Sequence, residues 1–382
     1  MKQVRPAMDD ESVTLFRQSV SRFFDREAPP EKLEAWRNAG VVERDFWRKA
    51  GEAGLLAPSV PEEYGGAGGD FRHELVVIEE IGKRGLEGFG APVHSAIVAP
   101  YILHCSTEEQ RLRWLPKVVT GECVLAVAMT EPHVGSDLKG LKTMARRDGD
   151  HYVLNGQKTF ISNGQTADLV IVACRTPGED GKDGISLLAL ETAGAAGFQR
   201  GRNLDKMGRE AQDTSELFFE DVRVPVDNLI GAEGAGFRLM MGLLPQERIV
   251  IAAMGLAMME RAFDLTLEHV RDRRMFGQRL FDFQNTQFKL AEARTSIAVA
   301  RTYLDHCVAS HLEGRLDGVT AAMAKLWITE TECRVIDDCL QMFGGYGYMD
   351  EYPISRLFRD SRIDRVHGGA SEVMKLIIAR SL

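Results

Sequence analysis

Gln341-Met342-Phe343-Gly344-Gly345-Tyr346-Gly347-Tyr348 closes a long apolar helical pattern with a pair of glycines, and Val366-His367-Gly368-Gly369-Ala370-Ser371-Glu372-Val373-Met374-Lys375 repeats the device further on. Side chains vanish at Gly344-Gly345, so the backbone there is free to turn or to approach a ligand closely. The second pair leads into a short final helix opened by Ser371-Glu372, and such a helix N-terminus favours an anion or polar group. Glu351, Arg356 and Asp360 stand between the two at fixed spacing. Two glycine caps in an ordinary helical domain would leave the same residues, so the rest of the chain has to decide.

Outward from this stretch, helical periodicity covers roughly 237–272, 284–313 and 317–342, which predicts a C-terminal bundle of four helices over 230–382. Gly231-Ala232-Glu233-Gly234-Ala235-Gly236 lacks the spacing and strand context of a dinucleotide-binding loop and reads as a hinge. Within the bundle, Arg273-Arg274-Met275-Phe276-Gly277 followed by Gln284 interrupts two helices. Leu244-Pro245-Gln246-Glu247-Arg248 supplies a carboxylate. Proline suits a first helical turn, which would put Glu247 near a helix N-terminus, where a surface capping glutamate would look the same. Upstream, 123–229 reads as short strands of a small antiparallel barrel or sandwich, with runs at Cys123–Met129, His151–Leu154, Leu169–Ala173, Ile185–Leu190 and Glu216–Val224. Residues 1–122 read as a helical N-terminal domain: Asp9-Asp10 can cap a helix carrying Val13, Phe16, Val20 and Phe23 on one face, and helical patterns resume near His94.

Two loops of the β region could hold a ligand. Ala128-Met129-Thr130-Glu131-Pro132-His133-Val134-Gly135-Ser136 crowds hydroxyls and backbone amides into a turn, a cradle for a ring edge or phosphate; a structural Ser turn would look alike. Asn155-Gly156-Gln157-Lys158-Thr159-Phe160-Ile161-Ser162-Asn163-Gly164 is read as joining two strands, with Phe160 and Ser162 on one side. A core Phe beside a surface Ser is the plainer alternative.

At 382 residues the chain can bury two or three cores. A net charge of -9 argues against nucleic acid as a partner. Six cysteines form no Cys-x-x-Cys pair, which suggests reduced thiols, and nine histidines form no ligand cluster, so no metal is expected. The sequence begins no apolar run and has no window of eighteen apolar residues, so neither a targeting segment nor integral membrane association is expected. A bacterial-like cytoplasmic location follows as an expectation.

Together the four motifs resemble the acyl-CoA dehydrogenase family over nearly the entire chain. The resemblance implies an α+β multidomain fold with a helical N-terminal domain, a middle β-domain and a C-terminal four-helix bundle, assembled as a homotetramer. It implies FAD, contacted by Val127, Ala128, Met129, Thr130, Gly135 and Ser136, by Phe160, Ile161 and Ser162, and by Ala370, Ser371 and Glu372. Phe276 and Gln341, Met342, Phe343, Gly344 and Gly345 would also contact it, and Arg273 and Gln284 would do so across a subunit boundary.

Many members carry their catalytic glutamate at the position of Gly368; the combination of Pro245-Gln246-Glu247-Arg248 with Gly368-Gly369 is similar to the long-chain and isovaleryl members, whose base lies at the alternate site. Glu247 would thus take the α-proton of an acyl-CoA, flavin N5 the β-hydride, and an electron-transfer flavoprotein the electrons, giving the trans-2-enoyl-CoA. Gly368 would keep a backbone N–H for the thioester oxygen and leave side-chain volume for long or branched acyl groups. Ser136, Arg238, Pro245, Gln246, Arg248, Gly368 and Gly369 would contact substrate. An acyl-CoA oxidase, a dehydrogenase of carrier-bound acyl chains, or a non-catalytic flavin-binding subunit are the alternatives. The departures from the family pattern are His133, Val134, His367 and Ala370.

Overall fold

The first helix is set by its cap. Asp10 accepts the Val13 N–H at 2.9 Å, and α1 (Glu11–Glu27) then buries Val13, Val20, Phe23 and Phe24. The computed structural model describes residues 8–178 and 183–382, so the stretch 1–6 read above lies outside the described residues. Helices α2 (Pro30–Ala39), α3 (Arg44–Glu52) and α4 (Phe71–Arg84) follow. A π-helical turn, Val93–Val98, runs into α5 (Ala99–Cys105), and α6 (Glu108–Val119) ends the N-terminal helices. His94 in that turn is fully buried: its Nε2 donates to the Val118 carbonyl at 3.1 Å and its Nδ1 accepts the Leu125 N–H at 3.1 Å. Burial pulls this imidazole down to about 3, so it is neutral and fastens the end of α6 to the first strand.

The strands are β1 (Leu125–Ala128), β2 (Met144–Asp148), β3 (His151–Ser162), β4 (Leu169–Thr176), β5 (Gly184–Glu191), β6 (Phe198–Asn203), β7 (Thr214–Pro225) and β8 (Leu229–Ile230). They form one sheet in the order β6-β7-β3-β2-β4-β5-β8, with β1 beside β4. The expected antiparallel pattern holds except at β4, which runs parallel to β1 and, through Met144–Arg175, to β2. The chain inserts the β2–β3 hairpin before β4, and β4 then returns in the direction of β1. Leu169, Ile171 and Ala173 of β4 pack with Tyr101, Ile102, Trp114 and Leu115 of α5 and α6, whereas Val170, Val172 and Cys174 pack with Tyr152, Leu154, Leu217 and Val224. Buried on both faces, this strand reads as a continuous apolar run and not as an alternating one.

The remaining elements are α7 (Gly236–Asp272), a hairpin of β9 (Arg274–Met275) and β10 (Gln278–Arg279), α8 (Gln284–Leu312), α9 (Gly318–Phe343), α10 (Pro353–Ser361) and α11 (Ser371–Ala379). Ile249, Ala253 and Leu256 of α7 share one hydrophobic core with Leu304 of α8, Ile328 of α9 and, from the N-terminal helices, Phe46, Ile78 and Ile81. Arg301 of α8 donates to the buried Glu79 of α4 and to the half-buried Glu260 of α7, tying α4, α7 and α8 by charge. Pro245 corrects one expectation: it lies inside α7 and does not open it. The helix starts at Gly236, and because proline brings no N–H, the Met241 carbonyl loses its donor from position 245. The neighbouring Met241 and Gly242 are exposed.

Candidate active site

Glu247 therefore projects from the body of a long helix. It is 7% exposed, and the Tyr101 hydroxyl donates to its Oε1 at 2.8 Å. Burial pushes its carboxyl up to about 7, against the lowering effects of the Tyr101 hydrogen bond and the Arg248 charge. Gln246 Nε2 donates to the Ala96 carbonyl at 2.8 Å. Arg248 is buried, with Nη1 on the Gly318 carbonyl at 3.1 Å and Nε without a partner among the described residues. Arg238 is exposed in the first turn of α7.

Ile251 stands one turn beyond Glu247 on the same face of α7. A Cβ placed on Gly368 would overlap Ile251 Cδ1, with Cγ1 at 3.7 Å. Ile251 thus brings the face of α7 that carries Glu247 against Gly368, remote in sequence. The expected free volume beside Gly368 does not exist: Ile251 fills it. Gly368 has φ +62°, a conformation that side chains rarely adopt. Its N–H donates to no acceptor among the described residues, which leaves it for a carbonyl oxygen. Lys325 Nζ donates to the Gly369 carbonyl at 2.8 Å, and burial pulls that amine down to about 8. His367, half-buried, bonds Asp364 at 2.7 Å, and Asp364 also pairs with Arg209 at 2.6 Å. Asp360 accepts the Arg209 N–H, and Arg356 donates to the Asp350 carbonyl. At the start of α11 the N-cap is Ala370, without a side-chain cap bond; Ser371 is buried with its hydroxyl on Glu330 at 2.6 Å, and Glu372 is exposed.

The loop after β1 is held by Glu131. Its carboxylate pairs with the fully buried Lys158 at 2.9 Å and accepts the N–H groups of Lys142 and Thr143. Glu131 and Val134 exchange backbone hydrogen bonds across Pro132-His133. The two departures from the family pattern fit this turn, His133 exposed at its tip and Val134 packed inward. Ser136 is exposed and Thr130 half-buried, neither hydroxyl has a described hydrogen bond, and a Cβ on Gly135 would meet nothing within 4 Å. Val127 and Met129 are half-buried and Ala128 is buried.

Most of the segment 155–164, Asn155 to Ser162, lies within β3, and only Asn163-Gly164 fall in the turn that leads toward β4. The register of β3 against β7 shifts between Lys158 and Ile161, and Phe160 takes φ +58° and is 68% exposed. The bulge interrupts the alternation at Lys158 and Thr159, both buried, after which Phe160 is exposed, Ile161 buried and Ser162 half-buried; holding a bulky residue at this φ costs ~1–3 kcal/mol. Ile161 points into the sheet core.

A second feature is a groove of about 660 Å³ between the end of α7, the start of α8 and the end of α9, lined among others by Arg273, Gln341, Met342, Gly344, Gly345 and Tyr346. Arg273 lies 5.4 Å from the Tyr346 ring centre, Gln284 is exposed at the first position of α8, and Phe276 is 88% exposed. Phe343 differs, its ring buried and stacked on His269 at 4.0 Å. A cation, an amide and bare glycine backbone suit a diphosphate, and an outward aromatic beside free hydroxyls suits a flat ring, so the residues present fit a flavin dinucleotide. No described hydrogen bond, ion pair or ring contact links the Phe160 cluster to this groove. Among the described residues no group of three or more His, Cys, Asp or Glu could hold a metal ion, and no helix is long and apolar enough to cross a membrane.

Sequence reasoning missed Tyr101, Ile251, Lys325 and the Glu131–Lys158 pair. Only the last carried a local signal, two opposite charges in otherwise strand-like surroundings.

Three family models match the chain: acyl-CoA dehydrogenase, N-terminal domain, over residues 10–122; its middle domain over 126–222; and its C-terminal domain over 234–382. The chain is 45% identical over 370 residues to the mitochondrial long-chain specific acyl-CoA dehydrogenase of Sus scrofa, covering 96% of this chain and 86% of that one. A crystal structure of acyl-CoA dehydrogenase from Geobacillus kaustophilus is similar with a TM-score of 0.94 at 46% identity, over 98% of each chain. That of a glutaryl-CoA dehydrogenase from Mycobacterium smegmatis in complex with FADH2 gives 0.90 at 26% identity, over 98% of this chain and 95% of the other.

Proposed function

The chain belongs to the acyl-CoA dehydrogenase family, an FAD-dependent oxidoreductase of acyl-CoA thioesters, and from that premise we propose that Glu247 is the base that removes the α-proton. One observation supports this reading: Ile251, one turn beyond Glu247 on the same face of α7, sits against Gly368, whose N–H has no described acceptor. A carboxyl held at about 7 by burial is matched to proton abstraction near neutrality. The Gly368 N–H, aimed by a loop that Lys325 and the His367–Asp364 pair hold rigid, donates to the thioester oxygen as negative charge develops there. Arg248, with donors to spare, and Ser136, Arg238, Pro245, Gln246 and Gly369 line the path of the CoA portion in this proposal.

FAD supplies, when bound, the hydride acceptor that no side chain provides. Thr130, Gly135, Ser136, Phe160 and Ser162 would hold its ring half. Arg273, Gln284 and Gln341 to Gly345 would hold the rest from a neighbouring copy in a homotetramer, a reading supported by the lack of any described contact between the two clusters. The division into domains at 1–122, 123–229 and 230–382, the trans-2-enoyl-CoA product and an electron-transfer flavoprotein as acceptor are part of the same reading.

Glu247→Gln keeps the shape of the side chain but cannot accept a proton. Flavin bleaching by acyl-CoA, followed anaerobically, should slow by ~10²–10⁴-fold with FAD content unchanged. Bleaching at the wild-type rate would remove Glu247 from the reaction.

A further inference from the structure

The base is not held by its own helix alone. Among the described residues one side chain donates to the Glu247 carboxylate, and it comes from α5: the Tyr101 hydroxyl, on Oε1 at 2.8 Å. The other oxygen, Oε2, accepts no described hydrogen bond and is not among the sealed polar atoms, so it keeps some accessible surface. Resting on the reading of Glu247 as base, we infer that Tyr101 is a positioning residue for the reaction: it pins Oε1, turns Oε2 toward the α-carbon and tunes the charge on both.

The local structure is built for this contact. The π-helical turn Val93–Val98 precedes α5. One extra residue in a helical turn rotates everything beyond it by about 100° relative to an uninterrupted α-helix, which decides the face on which Tyr101 emerges. Pro100 follows at the second position of α5 and has no N–H to give the Ala96 carbonyl. Gln246, the residue before Glu247, supplies that donor instead at 2.8 Å. Adjacent residues of α7 therefore grip the π-turn and the helix it launches, one through an amide and one through a carboxylate.

Tyr101 is fully buried. Burial and the neighbouring Glu247 charge raise its hydroxyl well above the usual tyrosine range, so it donates at every working pH. The charged and titratable groups acting on Glu247 are Tyr101 from α5 and Arg248 from α7. Cys105 of α5 acts on Tyr101, and Lys325 approaches Arg248 from α9. A hydroxyl donor favours the ionised carboxylate, so removing it raises the Glu247 titration point.

The test is Tyr101→Phe in the flavin-loaded enzyme, beside Glu247→Gln and a chain carrying 3-fluorotyrosine at 101. The protonated Glu247 carbonyl band is identified in infrared difference spectra by its loss in Glu247→Gln. In Tyr101→Phe its titration midpoint should rise by about one to two units, the worth of one charge-assisted hydrogen bond. The acid limb of anaerobic flavin reduction should rise equally, with the KM for acyl-CoA unchanged. The fluorinated ring keeps the packing and donates more strongly, so both midpoints should fall. If neither variant moves the band or the limb, Tyr101 is only core packing and the inference is overturned. A wild-type rate in Glu247→Gln would instead overturn the base assignment on which this rests; an inactive Glu247→Gln with an unmoved limb in the fluorotyrosine chain would overturn the role of Tyr101 alone.

Discussion

If Glu247 and Gly368 serve one α-carbon, the carboxylate can be moved from one to the other, and the structure says what stands in the way. Gly368→Glu in a Glu247→Gln background meets two obstacles. A side chain at φ +62° costs roughly 1–2 kcal/mol, and its Cβ would overlap Ile251 Cδ1, an overpacking that costs roughly 1–3 kcal/mol. Ile251→Val removes that one atom and leaves the Cγ1 position, 3.7 Å away and an ordinary contact. The double variant should therefore recover little of the lost rate. The triple variant should exceed it by about tenfold, because relief of ~1.4 kcal/mol at the reacting geometry is worth that factor. Anaerobic stopped-flow bleaching at saturating acyl-CoA measures both, with thermal unfolding to confirm that each variant is folded. Equal rates in double and triple variants would show that Ile251 does not block the site. A folded triple variant no faster than Glu247→Gln would show that the two positions do not share a carbon.

Glu74 is fully buried with its carboxyl pushed up to about 7 and bonded to Ser59 at 2.6 Å. A folded value above the unfolded one contributes stability at low pH that is lost as pH rises from about 4.5 to about 7, about 3 kcal/mol in all. Glu74→Gln should remove that loss, so its urea midpoint should gain on the wild type between pH 5 and pH 8; parallel pH profiles would count against it. Arg273→Ala should lower FAD content and loosen the oligomer together, measured by absorbance and sedimentation. A fully flavinylated tetramer would contradict the shared groove.

The elements legible in the sequence were those whose backbone admits few residue types. Gly344-Gly345, Gly368-Gly369 and the Arg-x-x-Phe-Gly turn fall there, and so do the long helices with their apolar stripes. What could not be read were contacts made across the fold. Tyr101 and Glu247 are 146 residues apart, and nothing near Tyr101 distinguishes it from a core aromatic. Ile251 looks like any core isoleucine until Gly368 is placed against it. The left-handed backbone at Phe160 was not legible either, because the bulge that turns its ring outward is set by register against β7. Pro245 misled through a preference for helix starts that burial of the rest of α7 overrides.

The core that joins the first helices to α7, α8 and α9 has a consequence for how the chain is made. Ile78 and Ile81 emerge from the ribosome long before Ile249 and Ile328, their partners in that core. Glu79 likewise waits for Arg301. At typical synthesis rates of roughly 5–20 residues per second, the N-terminal helices stay incompletely covered for roughly 10–40 seconds. The sheet, which closes its inner core with strands from one contiguous stretch, can form in the meantime. The nascent protein thus holds a finished β unit between two halves of an unfinished helical one, and the early helices are the part that a holding chaperone would have to shield.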